Sequence, residues 1–343
     1  MKVFVGLSGG VDSATSAALL QQAGHEVTGV FIRIAIDGYP CTAGEDRLDA
    51  MRVAAHLGIP FKEIDLSAEY KQKVFDESVK EFSRGRTPNP DTLCNKEIKF
   101  GLFFNWCMQN GADRVATGHY AQVKDGLLYT GADPEKDQSY FLWAVPEAQL
   151  AKTMFPIGHL HKSEVRALAA KFGLPNSARK DSQGLCFLGP ISVQDMLKQE
   201  LAPVPGDVVD ESGTVVGAHE GALLYTLGQR HGFTLFAHTP NTAAHYVVGK
   251  NIESNTVMVS TNKFPHSAST VAIELVDTNW IGEHADSAYQ ARYRYRQDLV
   301  AADLHGNSTT LNEPHYIPVG QSLVVYDGER CLGGGVVDTA TLK

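Results

Sequence analysis

The first half of the chain alternates short continuous apolar runs with longer stretches of helical period. "KVFVGL" (2–7) reads as a buried strand. A helix follows from about Asp12 to Ala23 and stops at Gly24. "HEVTGVFIR" and "FKEIDL" read as further strands, separated by the helix "TAGEDRLDAMRVAAHLG", where Thr42 and Glu45 stand at capping-box spacing. A charged amphipathic helix, "AEYKQKVFDESVKEF", leads to the turn "NPDTLCN" (89–95), then an aromatic-rich helix, "KEIKFGLFFNWCMQN", and a strand, "DRVATGHY". This βαβ alternation predicts an α/β fold with a parallel sheet covered on both faces and its ligand site at the carboxyl ends of the strands. From about Met154 to Leu201 the pattern turns helical and comparatively basic. Beyond "APVPGD" (202–207) the period falls to two, with DG and Pro-Val-Gly turns. Three units are expected: a catalytic unit at 1–201 with a helical extension, a small β-rich central domain at 202–267, and a C-terminal β-barrel at 268–343.

Composition changes this picture little. With 43% hydrophobic and 20% charged residues, the 343-residue chain is long enough for two or three domains. No apolar run approaches a membrane span, and "MKVFVGLSGG" reaches glycine before a signal-peptide core develops. The five cysteines are odd in number, widely spaced and without CxxC pairs. A disulfide framework or zinc site is therefore not expected, and a cytoplasmic location is. A net charge of −9 neither announces nor excludes a nucleic-acid partner, because phosphate contacts need only a local basic face.

The sharpest chemical signal is "SGGVDS" (8–13), between a strand and a helix. Two glycines let the backbone turn and expose N–H groups where the helix dipole favours an anion. Ser8 and Ser13 add hydroxyls. Asp12 beside a phosphate requires a Mg²⁺ between them, so a metal–nucleotide complex is implied. A plain turn, with Asp12 or Ser13 as helix N-cap, is the ordinary alternative. The string resembles the loop of the N-type ATP pyrophosphatases, which transfer AMP to a substrate oxygen before a nucleophile displaces it. The Walker ending Gly-Lys-Ser/Thr is absent.

Cysteines can separate the members of that group. With Asp91 as N-cap, Cys94 would sit in the first helical turn, where the dipole and nearby Lys96 and Lys99 favour a thiolate. Taken alone, a buried filler is the commoner role for such a cysteine. "KDSQGLCFLG" supplies a second candidate, Cys186, and a pair of thiols can take up, transfer and release sulfur. Cys107, on a helical stripe with Phe103 and Phe104, and Cys331, in a strand, read as core. Cys41 has no evident partner, His159 and His161 lack companion metal ligands, and Trp106, Trp143 and Trp280 read as core.

"GLSGGVDS", "GRTPNPDTLCNKEIKF", "ATGHYAQV", "KDQSYFL", "KSEVRALAAKFGLP", "KDSQGLCFLG", "YTLGQRHGF", "RYRYRQ" and "CLGGGVV" stand in the same order as the motifs of the bacterial tRNA-specific 2-thiouridylases. The chain resembles that family from residue 3 to about 337. The resemblance implies ATP-dependent 2-thiolation of the wobble uridine of tRNA, position 34, on a PP-loop domain with a central domain and a β-barrel. ATP would be held by Gly6, Leu7, Ser8, Gly9, Gly10, Val11, Asp12 and Ser13, with Ile32 and Gly118 on the adenine side. Asn89, Pro90 and Asp91 would meet the target base, with Asp91 as general acid/base. Cys94 would be the nucleophile and Cys186 the persulfide carrier. His119, Lys136, Asp137, Gln138, Arg294, Tyr295 and Gln321 would touch tRNA. The implied partners are tRNA, through its anticodon loop, and a sulfur-relay protein or cysteine desulfurase that donates a persulfide; no membrane is implied. Two stretches depart from the family pattern, "RIAIDGYPCTAG" beside the ATP site and the short "TLFAHTPNTAAHYVV". Two rivals stay open at this point: an amidating synthetase of the same loop class, which needs neither cysteine, and a silent nucleotide-sensing RNA-binding module.

Overall fold

The computed structural model describes residues 1–40, 42–181, 184–189, 191–237, 243–262, 264 and 269–343. Cys41, Ser182, Gln183, the middle of the short 234–248 stretch and the expected boundary at 267/268 lie outside them. Among the described residues of the first half there are seven strands: β1 (Lys2–Gly6), β2 (Glu26–Arg33), β3 (Phe61–Asp65), β4 (Arg114–Ala116), β5 (Ala121–Lys124), β6 (Leu127–Thr130) and β7 (Thr153–Met154). Five of them form a parallel sheet in the order β3-β2-β1-β4-β7. The central strands are apolar on both faces, as strands covered on both sides must be: Val3, Val5, Val30 and Val115 are fully buried. Edge strand β3 carries exposed Lys62 and Glu63, which discourage further pairing.

Helix α1 (Val11–Gln22) follows β1, and α2 (Ala43–Leu57) follows β2. The expected capping box on α2 does not form. Thr42 has helical dihedrals and its hydroxyl donates to the Asp46 carboxylate instead. The helical runs 67–83 and 90–109 each contain a π-helical stretch, Lys71–Asp76 and Cys94–Phe103. "NPDTLC" is therefore largely the start of the second run and not a turn before it. Among the described residues between Met154 and Leu201, only Lys162–Lys171 and Val193–Leu201 are helices of nine residues or more.

The chain beyond 205 is β-rich. A five-stranded sheet spans Gly206–Val209 to Thr256–Ser260, and six antiparallel strands between Val271 and Leu342 close into a barrel through pairing of Val271–Trp280 with Arg330–Leu342. The β5–β6 hairpin leaves the first unit and adds to this barrel, with Tyr129 and Leu128 opposite Arg330 and Cys331. Its sequence position gives no hint of that pairing. Among the described residues no helix is long and apolar enough to cross a membrane.

Candidate active site

In the sheet the chain runs outward from β1 to β3, then resumes at β4 on the other side of β1. That reversal opens a crevice at the carboxyl ends of β1 and β4, the usual ligand position in such sheets. The loop after β1 forms one wall. Gly10, not Asp12 or Ser13, is the N-cap of α1, and no side chain caps that end, so its first N–H groups stay available to an anion. The Ser13 hydroxyl accepts from Ser8 N (3.2 Å) and donates to Gly10 O (3.1 Å), which shapes the loop. Gly9 has φ +77°, and a Cβ there would meet Asp46 O at 2.6 Å. Gly118, after β4, packs so closely that a Cβ would lie 2.8 Å from Asp12 C and Ser13 N. Gly6 ends β1, and Ile32 is buried near the carboxyl end of β2.

The Asp12 carboxylate is already engaged. Lys162 Nζ donates to both its oxygens (2.7 and 2.9 Å) and Tyr120 OH to Oδ1 (2.8 Å). Lys162 also pairs with Asp181 (2.9 Å), which gathers Lys136 (2.8 Å) and Arg166 (2.7 Å); burial works against its ionisation, but Lys136 and Lys162 hold its carboxyl down at about 2. Neither Lys162 nor Asp181 was singled out in the sequence; "KSEVR" and "KDSQ" carry them, but only folding brings both to Asp12 and its loop.

The other wall holds the cysteines. Asn89, not Asp91, caps the run 90–109: its Oδ1 accepts from Thr92 N (3.2 Å), and Pro90, which has no N–H to satisfy, takes the first helical position. Cys94 is thereby moved beyond the first turn and becomes fully buried. Its Sγ donates to Cys186 Sγ at 3.3 Å. Burial, then that bond, push the Cys94 thiol up, whereas receiving the same bond pulls Cys186 down. The expected thiolate at Cys94 is thus reversed: Cys94 is the proton donor, and Cys186 is the sulfur suited to carry negative charge. Cys186 is positioned by Tyr70, whose hydroxyl donates to its backbone carbonyl (2.7 Å) and whose ring meets Phe187 edge-on. Phe187 takes a left-handed φ of +67°. Burial raises the Asp91 carboxyl, a direction that suits a group exchanging protons.

The β4 loop joins the two walls. Gly118 touches the α1 terminus, while His119 Nδ1 lies 2.7 Å from Thr117 Oγ1 and its Nε2 3.4 Å from Lys99 Nζ. Burial and Lys99 hold His119 neutral, so Lys99 donates and the ring N–H is left for Thr117. Next to Asn89 and Pro90 a cleft of about 370 Å³ opens, lined also by Tyr140, Phe141, Arg294, Tyr295 and Gln321 and by the apolar Phe82, Leu197 and Leu224. The Tyr295 ring meets Phe141 at a 41° tilt with centroids 4.7 Å apart, and Arg294 donates to Leu227 O (3.2 Å).

Comparison with known proteins decides the family. The tRNA methyl transferase HUP domain matches residues 1–190, the tRNA methyl transferase PRC-barrel domain residues 194–261 and the aminomethyltransferase beta-barrel domain residues 271–337. The tRNA-specific 2-thiouridylase MnmA of Acidovorax ebreus is 43% identical over 362 residues, covering 98% of each chain. That of Lactococcus lactis subsp. cremoris is 42% identical over 357 residues, covering 99% of this chain and 95% of the other. The chain belongs to the tRNA-specific 2-thiouridylase family. Among solved structures, a 4-thiouridine synthetase–RNA complex with bound ATP matches with a TM-score of 0.37 at 17% identity, covering 56% of this chain and 46% of that one.

The residues expected of a 2-thiouridylase do not all share one surface. Asn89, Pro90, Arg294, Tyr295 and Gln321 line one cleft. His119 is buried on the Lys99 side, and Lys136 is paired with Asp181. Gln138 accepts from Tyr120 N (3.0 Å). The Asp137 carboxylate is buried against Arg292 and the Ser139 N–H and faces the protein interior. Cys107 and Cys331 are fully buried core residues, and Trp143 is nearly so. The stretch 34–40 buries Ile34, Ile36 and Tyr39, and Tyr39 OH donates to Glu200 (2.7 Å), tying it to the helix after Cys186. For Mg²⁺, no cluster of three or more His, Cys, Asp or Glu among the described residues could hold a metal, and Asp12 is ion-paired. The described residues thus form no preformed cage for the ion.

Proposed function

We propose that the chain 2-thiolates the wobble uridine of tRNA by adenylating the C2 oxygen and displacing AMP with sulfur carried on Cys186. The observation that carries this reading is the 3.3 Å approach of Cys94 and Cys186 beside the crevice bearing the Ser8–Ser13 loop. The uncapped α1 terminus, Ser8 and Ser13 would bind the phosphates of ATP, with Gly118 and Ile32 toward adenine. Lys162 would move from Asp12 to the departing pyrophosphate. Any Mg²⁺ would arrive with the nucleotide and be met by Asp12.

The target base, splayed from the anticodon loop, would enter the cleft of Asn89, Pro90, Tyr140, Arg294, Tyr295 and Gln321, where aromatic rings and a guanidinium suit a single unstacked base. A sulfur-relay protein or desulfurase loads Cys186 as a persulfide. Its terminal sulfur attacks C2, the C2–S bond forms, and AMP leaves with the C2–O electron pair. Cys94, its proton taken by the Asp91 carboxylate, then attacks Cys186 Sγ. A Cys94–Cys186 disulfide forms, the outer S–S bond breaks, and the base keeps its sulfur as a thiocarbonyl. In the other order Cys94 attacks first and releases hydrosulfide, which displaces AMP. Both orders leave the disulfide, which a thiol reductant returns to two thiols. His119, Lys136, Asp137 and Gln138 complete the RNA surface in this proposal, Asp137 through the backbone it orders.

The test is nucleoside mass spectrometry of tRNA from cells whose sole copy carries Cys186→Ala. Loss of 2-thiouridine is expected; an undiminished level would sink the carrier role. Pyrophosphate exchange into ATP that depends on tRNA and not on small acids excludes an amidating synthetase.

A further inference from the structure

Lys99 is an ammonium turned inward with no carboxylate in ion-pair contact; Asp91 acts on it only through space. Among the described residues no Asp or Glu oxygen lies within ion-pair distance of it. It bonds the neutral ring of His119, a hydrogen bond to the Cys186 side chain also acts on it, and its Nζ stands 5.8 Å from the centroid of Phe187, the residue after Cys186. The neighbouring cations of the crevice are different: Lys136, Lys162, Arg166 and Arg179 all hold Asp partners at 2.9 Å or less. An inward-facing cation with no anion in contact is costly. Asp91, whose carboxyl is raised toward the neutral form by burial, offsets it only in part, so a negative charge close to Lys99 is favoured.

The backbone puts Lys99 there. Cys94 and Lys99 are five residues apart, which in an α-helix turns them about 140° from one another. Here Cys94–Phe103 is π-helical, and the wider turn brings residues five apart toward one side. Gly101 permits it, since a Cβ there would sit 2.8 Å from the Lys96 carbonyl oxygen, five residues back.

We propose that Lys99 is the counter-ion of the sulfur anion on Cys186, keeping that sulfur deprotonated and stabilising its charge until transfer. This rests on the reading of Cys186 as the sulfur carrier. The groups facing the pair are Tyr70 from the 67–83 run, Asp91 and Lys99 from the 90–109 run, and His119 from the β4 loop. Tyr70 is kept protonated by burial and His119 uncharged, and Asp91 opposes a thiolate. Lys99 is therefore the only cation among them. The hydrogen bond from Cys94 acts in the same direction on Cys186 and is retained in the variants below.

The experiment follows iodoacetamide alkylation of Cys186 against pH, by peptide mass spectrometry, in the full-length protein and its Lys99→Met, Lys99→Gln and Lys99→Arg variants. Both neutral variants should raise the alkylation midpoint by about one pH unit, roughly tenfold slower at neutral pH, while Lys99→Arg restores most of the reactivity. Loss of structure alone would speed alkylation of a partly buried thiol and leave no charge-dependent rescue. An unchanged midpoint in the neutral variants, or an Arg variant as shifted as they are, would overturn the proposal. The readout needs no tRNA product. A shifted profile alongside undiminished 2-thiouridine in Cys186→Ala cells would uphold the counter-ion and overturn only the carrier.

Discussion

Asp137→Asn distinguishes a residue that meets RNA from one that holds the barrel to the catalytic unit. Asp137 and Arg292 are 5% and 8% exposed. The carboxylate accepts from Gly131 N (2.9 Å), Ser139 N (3.1 Å), Ser139 Oγ (3.1 Å) and the Arg292 guanidinium. Gly131 and Ser139 donate to one oxygen, which asparagine retains, so the substitution chiefly removes the charge opposite a guanidinium that stays ionised. Removing one partner of a buried pair costs about 3–5 kcal/mol. Arg292 keeps Tyr326 OH (2.9 Å) and Ser139 Oγ (3.0 Å), which places the loss near the lower end, about 3 kcal/mol. At about 2–4 °C per kcal/mol for a unit of this size, the first thermal transition should fall by roughly 6–12 °C. Differential scanning fluorimetry reads this. Asp137→Asn combined with Arg292→Met should recover most of the loss, because no buried charge is then left unpaired. A fall under about 2 °C, or weakened tRNA binding at unchanged melting temperature, would refute the reasoning.

Gly118→Ala should weaken ATP binding about tenfold or more, seen as a lost ATP-induced thermal shift, because its methyl would displace the Asp12–Ser13 backbone; an unchanged shift would show that the close approach is not needed. Mild oxidation of the free protein should link Cys94 to Cys186, detected as one cross-linked peptide pair two hydrogens lighter and restored by dithiothreitol, with buried Cys107 and Cys331 untouched. Appearance of another pairing would mean that the two sulfurs do not dwell together in solution.

Local pattern settled much of this protein. Apolar runs between helical stretches specify a parallel sheet, because strands covered on both faces leave few polar positions. Gly-Gly between strand and helix specifies an anion-binding turn, because few other sequences make that bend. The ordered motifs pointed to the family and to both cysteines. What one dimension could not carry was any property of a pair. Whether Cys94 or Cys186 holds the proton depends on burial and on the direction of a single S–H, and capping by Asn89 and not Asp91 moved Cys94 out of the helix dipole's reach. Lys99 stands five residues from Cys94, a spacing that points away in an α-helix and inward only in a π-helix. Asp137 reads as a solvated carboxylate until Arg292, 155 residues later, buries it. The sequence by itself determined the elements and the kinds of chemistry present, because both follow from residues near one another in the chain. The tertiary structure decided charge state, counter-ion and proximity, because electrostatic energies depend on distance and burial in space, and these come from segments far apart in sequence.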